Sequence, residues 1–196
     1  MRKPLLISWV ISFGIFIVLS PVFIRLVCYL HPIVLAVLLF CILVLVYFCV
    51  LLIRKETIHL SYPLFLSLLI LYTVAMLILL FFRPNEQGYN SMNLVPFSTV
   101  MFYLSGKGNW LISFYNLAAN IGLFIPYGIY LKLINFPQLK AWVISLLTIA
   151  CIEFLQFVSQ RGSLDIDDLM LNLLGVFLGY WLYPLFKRVI MISLKK

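Results

Sequence analysis

Four of the six acidic residues of this chain lie within 16 positions of one another, inside or beside apolar segments. They are Glu153, Asp165, Asp167 and Asp168. Carboxyl groups at this spacing can exchange protons with a substrate, hold a hard cation or cap a helix N-terminus. Capping explains one or two of the three aspartates well but three poorly, because like charges repel. No EF-hand spacing accompanies them, so we predict no metal site.

Amide side chains share helix faces with these acids. Gln156 follows Glu153 by three residues, Asn172 follows Asp168 by four, and a second asparagine follows Asn116 by four. Residues three or four positions apart lie on one face of a helix. Polar groups within a membrane-spanning helix cost free energy, so they tend to face the bundle interior or a wet cavity.

The composition identifies the elements that must position these side chains. The chain has 196 residues, of which 65% are hydrophobic and 10% charged, against roughly 25% charged in an ordinary soluble domain. Its mean hydropathy is +1.15. So few charges exclude a cytosolic enzyme, a nucleic-acid binder and a disordered chain. The 14 dispersed lysines and arginines therefore indicate membrane topology and contact with anionic lipid.

Six stretches contain the roughly 20 apolar residues that a membrane-spanning helix needs. They are Leu5–Val27, Ile33–Ile53, Leu60–Phe82, Trp110–Leu131, Ala141–Ser159 and Leu169–Phe186. Backbone groups in lipid must find partners within their own segment, which favours helices. We therefore predict an all-α integral membrane protein with a bundle of six transmembrane helices.

The basic residues predict the orientation of these spans. With the N-terminus inside, ten lysines and arginines fall on inner segments and four on outer ones. The positive-inside rule then places both termini in the cytoplasm. We divide the chain into an N-terminal membrane region with spans one to three (1–82), a core with the outer loop and spans four to six (83–186), and a basic cytoplasmic tail (187–196).

The one long connection, residues 83–109, joins spans three and four on the outer side. Four of its apolar residues follow a helical spacing: Phe97, Val100, Met101 and Leu104. This pattern predicts a short amphipathic helix at the outer membrane surface. Ser98 or Thr99 can cap its start.

Polar residues of spans four, five and six lie at a similar depth below the outer ends of their helices. Asn116, Glu153 and Asn172 each lie five or six residues from the outer end of their span, about 8–9 Å along the helix. Independent helices need not agree in this way, so we predict one outward-facing polar pocket between the three spans. Asn120 would lie near its floor, about 15 Å deep. The alternative is that the amides only hydrogen-bond across helices and hold them together.

Other residues complete this interpretation. Arg161 follows Glu153 by eight residues and can pair with it if the helix continues, which competes with a ligand-binding or proton-transfer role for Glu153. Gly175 and Gly179 form a GxxxG pattern, which predicts close helix packing. The four cysteines are dispersed without CxxC or Cys/His spacing, so we expect no cofactor.

Three segments of the sequence resemble the VanZ-like family: NLVPF from Asn93, NLAANIGLFIPYG from Asn116 and EFLQFVSQRGSLDIDDLMLNLLGVFLGY from Glu153. The resemblance covers about residues 80–185. It also singles out Pro96, Phe97, Pro126 and Gly128. The pocket residues that depth and resemblance together predict are Asn93, Asn116, Asn120, Glu153, Gln156, Arg161, Asp165, Asp168 and Asn172.

The resemblance implies a bacterial cell-membrane protein associated with resistance to teicoplanin more than to vancomycin. The first hypothesis is a non-enzymatic envelope protein that reduces the action of such lipid-anchored glycopeptides. The second is an intramembrane enzyme acting on a lipid-linked cell-wall precursor, with Asp168 or Glu153 as acid or base and Arg161 holding a phosphate. The third is a small transporter. Membrane lipids, the precursor or the amphiphilic antibiotic are the expected partners, and nucleic acid is not; the enzyme question and the oligomeric state stay open.

Overall fold

The computed structural model describes residues 2–27, 33–81, 92–105 and 110–193. These residues form seven helices and four short strands. In chain order they are α1 (Arg2–Val27), α2 (Ile33–Arg54), β1 (Ile58–Ser61), α3 (Tyr62–Phe81), β2 (Met92–Asn93), α4 (Ser98–Leu104), α5 (Trp110–Leu133), α6 (Gln138–Val158), β3 (Leu164–Asp165), α7 (Ile166–Val189) and β4 (Ile190–Ser193).

Polar residues and proline determine where the helices of the core end and begin. Asn135 follows α5 with a φ of 53°, and asparagine tolerates this left-handed conformation better than most residues. Pro137 stands immediately before α6. Gln160 ends the turn after α6 with a φ of 56°. Asp167 lies in the first turn of α7, where the helix dipole favours a negative charge.

Four helices of the described residues are long and apolar enough to cross a membrane. They run over Lys3–Ile24, Tyr62–Phe81, Gln138–Val158 and Ile166–Val189, and Leu38–Arg54 forms a shorter apolar stretch. The two other predicted spans coincide with α2 and α5. The number of membrane crossings stays a prediction, and so does the place of α4 at a membrane surface.

The chain divides into two compact units. The first contains Met1–Leu60 and Leu185–Ser193; α1 packs against α2 in it, and β1 pairs with β4. The second contains Ser61–Pro184. Its hydrophobic core is centred on one buried residue from each of four helices: Met76 (α3), Phe124 (α5), Ile149 (α6) and Val176 (α7).

Burial in this protein is opposite to that of a soluble domain. Ile53 is 79% exposed and Leu71 66% exposed, among many other large apolar side chains, whereas Asp167 is 1% exposed and Glu153 6%. Soluble proteins rarely bury unpaired acids or expose contiguous apolar surface. Lipid is a good solvent for the exposed side chains, and we conclude that the chain is a membrane protein.

Several local features differ from the sequence prediction. The four short strands were not predicted, because two to four residues carry too little periodicity to show a strand. The α7 helix begins at Ile166 and ends at Val189, three residues beyond each predicted limit. The prediction that Ser98 or Thr99 caps α4 is wrong, since no side-chain cap of its own segment is present. Residues 83–91 and 106–109 of the predicted outer loop lie outside the described residues.

Candidate functional site

The polar residues of the second unit gather around the first turns of α7. Most of them take part in hydrogen bonds that connect two different elements. We call the set of Asn93, Thr99, Asn120, Glu153, Asp165, Asp167, Asp168 and Asn172 the polar network.

Asp167 joins α7 to the start of α4. Its Oδ1 accepts a hydrogen bond from the backbone N–H of Phe97 at 2.6 Å. Its Oδ2 accepts from the backbone N–H groups of Thr99 at 2.8 Å and Val100 at 3.0 Å. The first N–H groups of a helix have no partner within the helix. A carboxylate from a distant helix therefore supplies the cap that the α4 segment lacks.

Asp165 joins the same segment through side chains. Its Oδ2 accepts hydrogen bonds from Thr99 Oγ1 at 2.6 Å and from Asn93 Nδ2 at 3.3 Å. The strands β2 and β3 pair in parallel here, with Asn93 opposite Asp165. Asp165 Oδ1 also accepts from the backbone N–H of Asp167 at 2.9 Å. The backbone pairing thus orients both aspartates towards the residues before and within α4.

Two asparagines of α5 contact two different neighbours. Asn120 Nδ2 donates a hydrogen bond to Asp168 Oδ1 and so joins α5 to α7. Asn116 Nδ2 donates to the hydroxyl of Tyr103 at 3.2 Å and joins α5 to α4. The structure therefore brings Asn120 to the acidic cluster, while Asn116 bonds α4 and not the two polar residues predicted at its depth.

Glu153 and Asn172 meet between α6 and α7. Asn172 Nδ2 donates a hydrogen bond to Glu153 Oε1 at 2.9 Å, and the two side chains are 5% and 6% exposed respectively. The amide oxygen of Asn172 is buried and has no hydrogen-bond partner among the described residues. An unsatisfied buried acceptor costs about 1–3 kcal/mol, so this pair is only half satisfied.

Gln156 and Arg161 do not join the polar network. Gln156 Nε2 donates to the carbonyl oxygen of Leu80 at 3.1 Å and joins α6 to α3. Arg161 is exposed in the turn after α6. The one ion pair of the described residues is Arg54–Glu56, so the Glu153–Arg161 pair considered from the sequence does not form. Arg161 is left with its guanidinium at the surface.

Glycines allow α5 and α7 to approach closely. A Cβ atom on Gly175 or Gly179 would overlap the carbonyl oxygen of Ile121 or Ile125 on α5. A Cβ atom on Gly128 of α5 would overlap the carbonyl oxygen of Val176 on α7. This close approach lets the short side chains of Asn120 and Asp168 reach each other.

An apolar cleft of about 660 Å³ lies beside the polar network. Phe97 at the start of α4, Trp142 of α6 and Leu174 of α7 contribute to its walls, and Asp167 is the first of its lining residues along α7. The predicted pocket residues are not among those that line it. The cleft can accommodate hydrocarbon, and the network beside it offers hydrogen-bonding groups that are already engaged with each other.

Sequence reasoning overlooked three residues that this geometry uses. Asp167, Thr99 and Tyr103 were not among the predicted pocket residues, although they bond α4 to its neighbours. The repulsion among three adjacent aspartates was the available signal, because it implied that one of them serves another element. Nothing in the sequence identified that element as α4. Within the described residues, no three acidic, histidine or cysteine side chains are grouped to share a metal ion.

Two substitutions on one face of α6 test the hydrogen bonds of its buried side chains. We expect Glu153→Gln to raise the thermal unfolding temperature of detergent-solubilised protein, because a glutamine amide can both accept from Asn172 and donate to its unsatisfied oxygen. The free energy of unfolding should rise by about 1–3 kcal/mol. The reciprocal change Gln156→Glu serves as the control: it replaces a donor to the Leu80 carbonyl by an acceptor and should lower the unfolding temperature. A fall for both variants would contradict the assigned pairings.

Comparison with known proteins covers most of the second unit. The family model described as VanZ/LLP1 matches residues 65–187. The chain is 32% identical over 129 residues to Protein VanZ of Enterococcus faecium, covering 61% of this chain and 73% of that protein. No solved structure matches. The matched range includes every member of the polar network.

Proposed function

The chain belongs to the VanZ/LLP1 family, and on this basis we propose that it reduces the action of lipid-anchored glycopeptide antibiotics of the teicoplanin type at the bacterial cell envelope. It acts there as a multi-pass protein of the cell membrane with six spans and both termini in the cytoplasm. The charge distribution supports this topology, since ten basic residues then lie on inner segments and four on outer ones.

The observation that carries the proposal is a set of exposed side chains at the two ends of the parallel β2–β3 pair, apolar after β2 and basic before β3, which we call the proposed antibiotic surface. Leu94 and Val95, which follow β2, are 60% and 64% exposed, and Phe97 is 56% exposed. Arg161, which precedes β3, is exposed as well. An acyl chain can contact the apolar side chains while a carboxylate of the polar portion pairs with the guanidinium. In the proposed topology this surface faces outward.

The polar network supports the surface by fixing its segments. Asp167 and Asp165 bind the residues from Asn93 to Val100 through five hydrogen bonds. A segment that is ordered before its ligand arrives loses less conformational entropy on binding. We therefore assign the buried acids to positioning and the exposed side chains to contact with the antibiotic.

Antibiotic susceptibility of a sensitive Gram-positive host tests this assignment. Expression of the chain should raise the minimal inhibitory concentration of teicoplanin about fourfold or more and that of vancomycin less, because vancomycin lacks the acyl chain. Arg161→Ala should remove most of this difference, since loss of a charge-assisted contact costs about 1.5–3 kcal/mol. The matched control is Arg188→Ala, which removes an exposed arginine near the other end of α7.

Membrane insertion of each variant is measured by fractionation before susceptibility is compared. Equal protection against the two antibiotics, or full protection by Arg161→Ala at normal membrane levels, would contradict the proposal. A change in the mass of a lipid-linked cell-wall precursor incubated with purified protein would favour the enzymatic hypothesis instead.

A further inference from the structure

Trp142 lines the apolar cleft between α4, α6 and α7 and contacts the ring of Tyr180, over which the Lys132 ammonium lies. We propose that the cleft is a binding site for an anionic phospholipid, with one acyl chain in the cleft and the phosphate at Lys132. This site shares Phe97 with the proposed antibiotic surface, but the lipid proposal does not depend on that function.

The lining of the cleft suits a hydrocarbon chain. Met170, Leu174 and Phe177 form one wall along α7, spaced by three or four residues, and Trp142 of α6 faces them. From Asp167 to Phe177 the cleft follows α7 for ten residues, about 15 Å. A single extended acyl chain fits a passage of this length, and its transfer from detergent or lipid into the cleft buries no polar group.

The end of the cleft at Asp167 cannot receive a polar headgroup. The Asp167 carboxylate is 1% exposed, and its two oxygens accept three backbone hydrogen bonds from α4. A phosphate placed there would also meet the negative charge of this carboxylate. The headgroup of an amphiphile in the cleft must therefore lie at the other end.

A cation is available near Trp142 of the cleft wall. Trp142 contacts the ring of Tyr180 with centroids 5.7 Å apart, and the Lys132 ammonium lies 4.6 Å above the same ring. Lys132 also donates a hydrogen bond to the Tyr180 hydroxyl at 3.4 Å. An ammonium has three N–H groups, so Lys132 can still donate to a phosphate.

Charge and position favour a phospholipid over other occupants. The ion pairs of the described residues do not include the half-buried Lys132. Lys140, two residues before Trp142, is exposed. Basic pockets between membrane helices commonly bind anionic headgroups. The cationic group of a zwitterionic headgroup would be repelled by Lys132 and Lys140. The site should therefore discriminate between lipids by headgroup charge.

Native mass spectrometry of the full chain in detergent tests this site. Phosphatidylglycerol and phosphatidylcholine with identical acyl chains are titrated separately. We expect the phosphatidylglycerol complex to form at a concentration at least about fivefold lower. Leu174→Trp, which fills the cleft, should weaken phosphatidylglycerol binding by a similar factor. Lys132→Gln should reduce phosphatidylglycerol binding to the level of phosphatidylcholine.

Two further variants keep the test decisive. Leu147→Trp adds the same bulk at an α6 position that is 64% exposed and does not line the cleft, so it should bind like the original chain. Met170→Trp obstructs the cleft at a second point and replaces Leu174→Trp if that variant does not fold. Equal binding of the two lipids, or unchanged binding when the cleft is filled in a folded variant, would overturn the proposal.

Discussion

The Gly128→Ala variant is expected to lose about 3 kcal/mol or more of stability, as overpacking at a backbone contact does. The added methyl would overlap the carbonyl oxygen of Val176 and lie 2.6 Å from the backbone nitrogen of Tyr180. Both atoms belong to the α7 backbone, which cannot move aside as a flexible side chain would. The α5 and α7 helices must separate to admit the methyl.

Separation of these helices would affect the candidate site directly. Gly179 of α7 packs against Gly128, since a Cβ on Gly179 would come within 3.1 Å of the Gly128 Cα. The Asn120–Asp168 hydrogen bond bridges the same two helices about two turns away. We therefore expect Gly128→Ala to weaken this bond and the packing of Phe124 against Val176 together.

Gly122→Ala is the matched control for this prediction. Gly122 lies in the same helix, and a Cβ on it would meet nothing within 4 Å. Alanine favours helix over glycine by about 1 kcal/mol, so this variant should be as stable as the original chain or more so. Thermal unfolding of both purified proteins in the same detergent provides the comparison. Equal unfolding temperatures would show that α5 and α7 do not pack through Gly128.

The glycines illustrate what helix periodicity alone can predict. The GxxxG spacing of Gly175 and Gly179 marks a face of α7 that permits close approach, and this can be read from one helix. It does not reveal that Gly128 of α5 lies opposite, because the partner of a face is set by tertiary packing. The family resemblance singled out Gly128, while its physical role depends on the paired backbones.

For the polar residues too, helix spacing predicts a shared face but not the partner of that face. Spacing places Glu153 with Gln156 on one face of α6, yet their partners, Asn172 of α7 and Leu80 of α3, lie on different helices. Equal depth suggested that Asn116 would join Glu153, but depth fixes only one coordinate. The rotation of each helix about its axis fixes the other, and Asn116 turns towards Tyr103.

The role of Asp167 cannot be predicted from the charges of α7 alone. The dipole of α7 is by itself sufficient to explain acids in its first turn, so these charges alone give no sign of a second role. The carboxylate is instead occupied by the backbone of α4, about 70 residues earlier in the chain. A helix of seven residues is unstable alone, so α4 depends on this remote cap.

Asp167→Ala is accordingly expected to unfold α4 while leaving α5 to α7 in place. The change removes the acceptor of three backbone N–H groups, at Phe97, Thr99 and Val100. Hydrogen bonds to a charged acceptor contribute about 1.5–3 kcal/mol each, although they are not additive. A net loss of about 3 kcal/mol would raise amide exchange in α4 roughly 100-fold. Because Phe97 and Val100 line the apolar cleft, its wall would be lost as well.

Hydrogen–deuterium exchange measured by mass spectrometry can localise this effect. Peptides covering residues 97–104 should exchange faster in Asp167→Ala, while peptides from α6 should not change. Asp167→Asn retains one acceptor oxygen and should give an intermediate rate. Ser105→Ala is the control at the other end of α4, because the Ser105 hydroxyl is exposed and donates only to the Phe102 carbonyl. Unchanged exchange in Asp167→Ala would mean that α4 is held by its contacts with α5 and not by the carboxylate of α7.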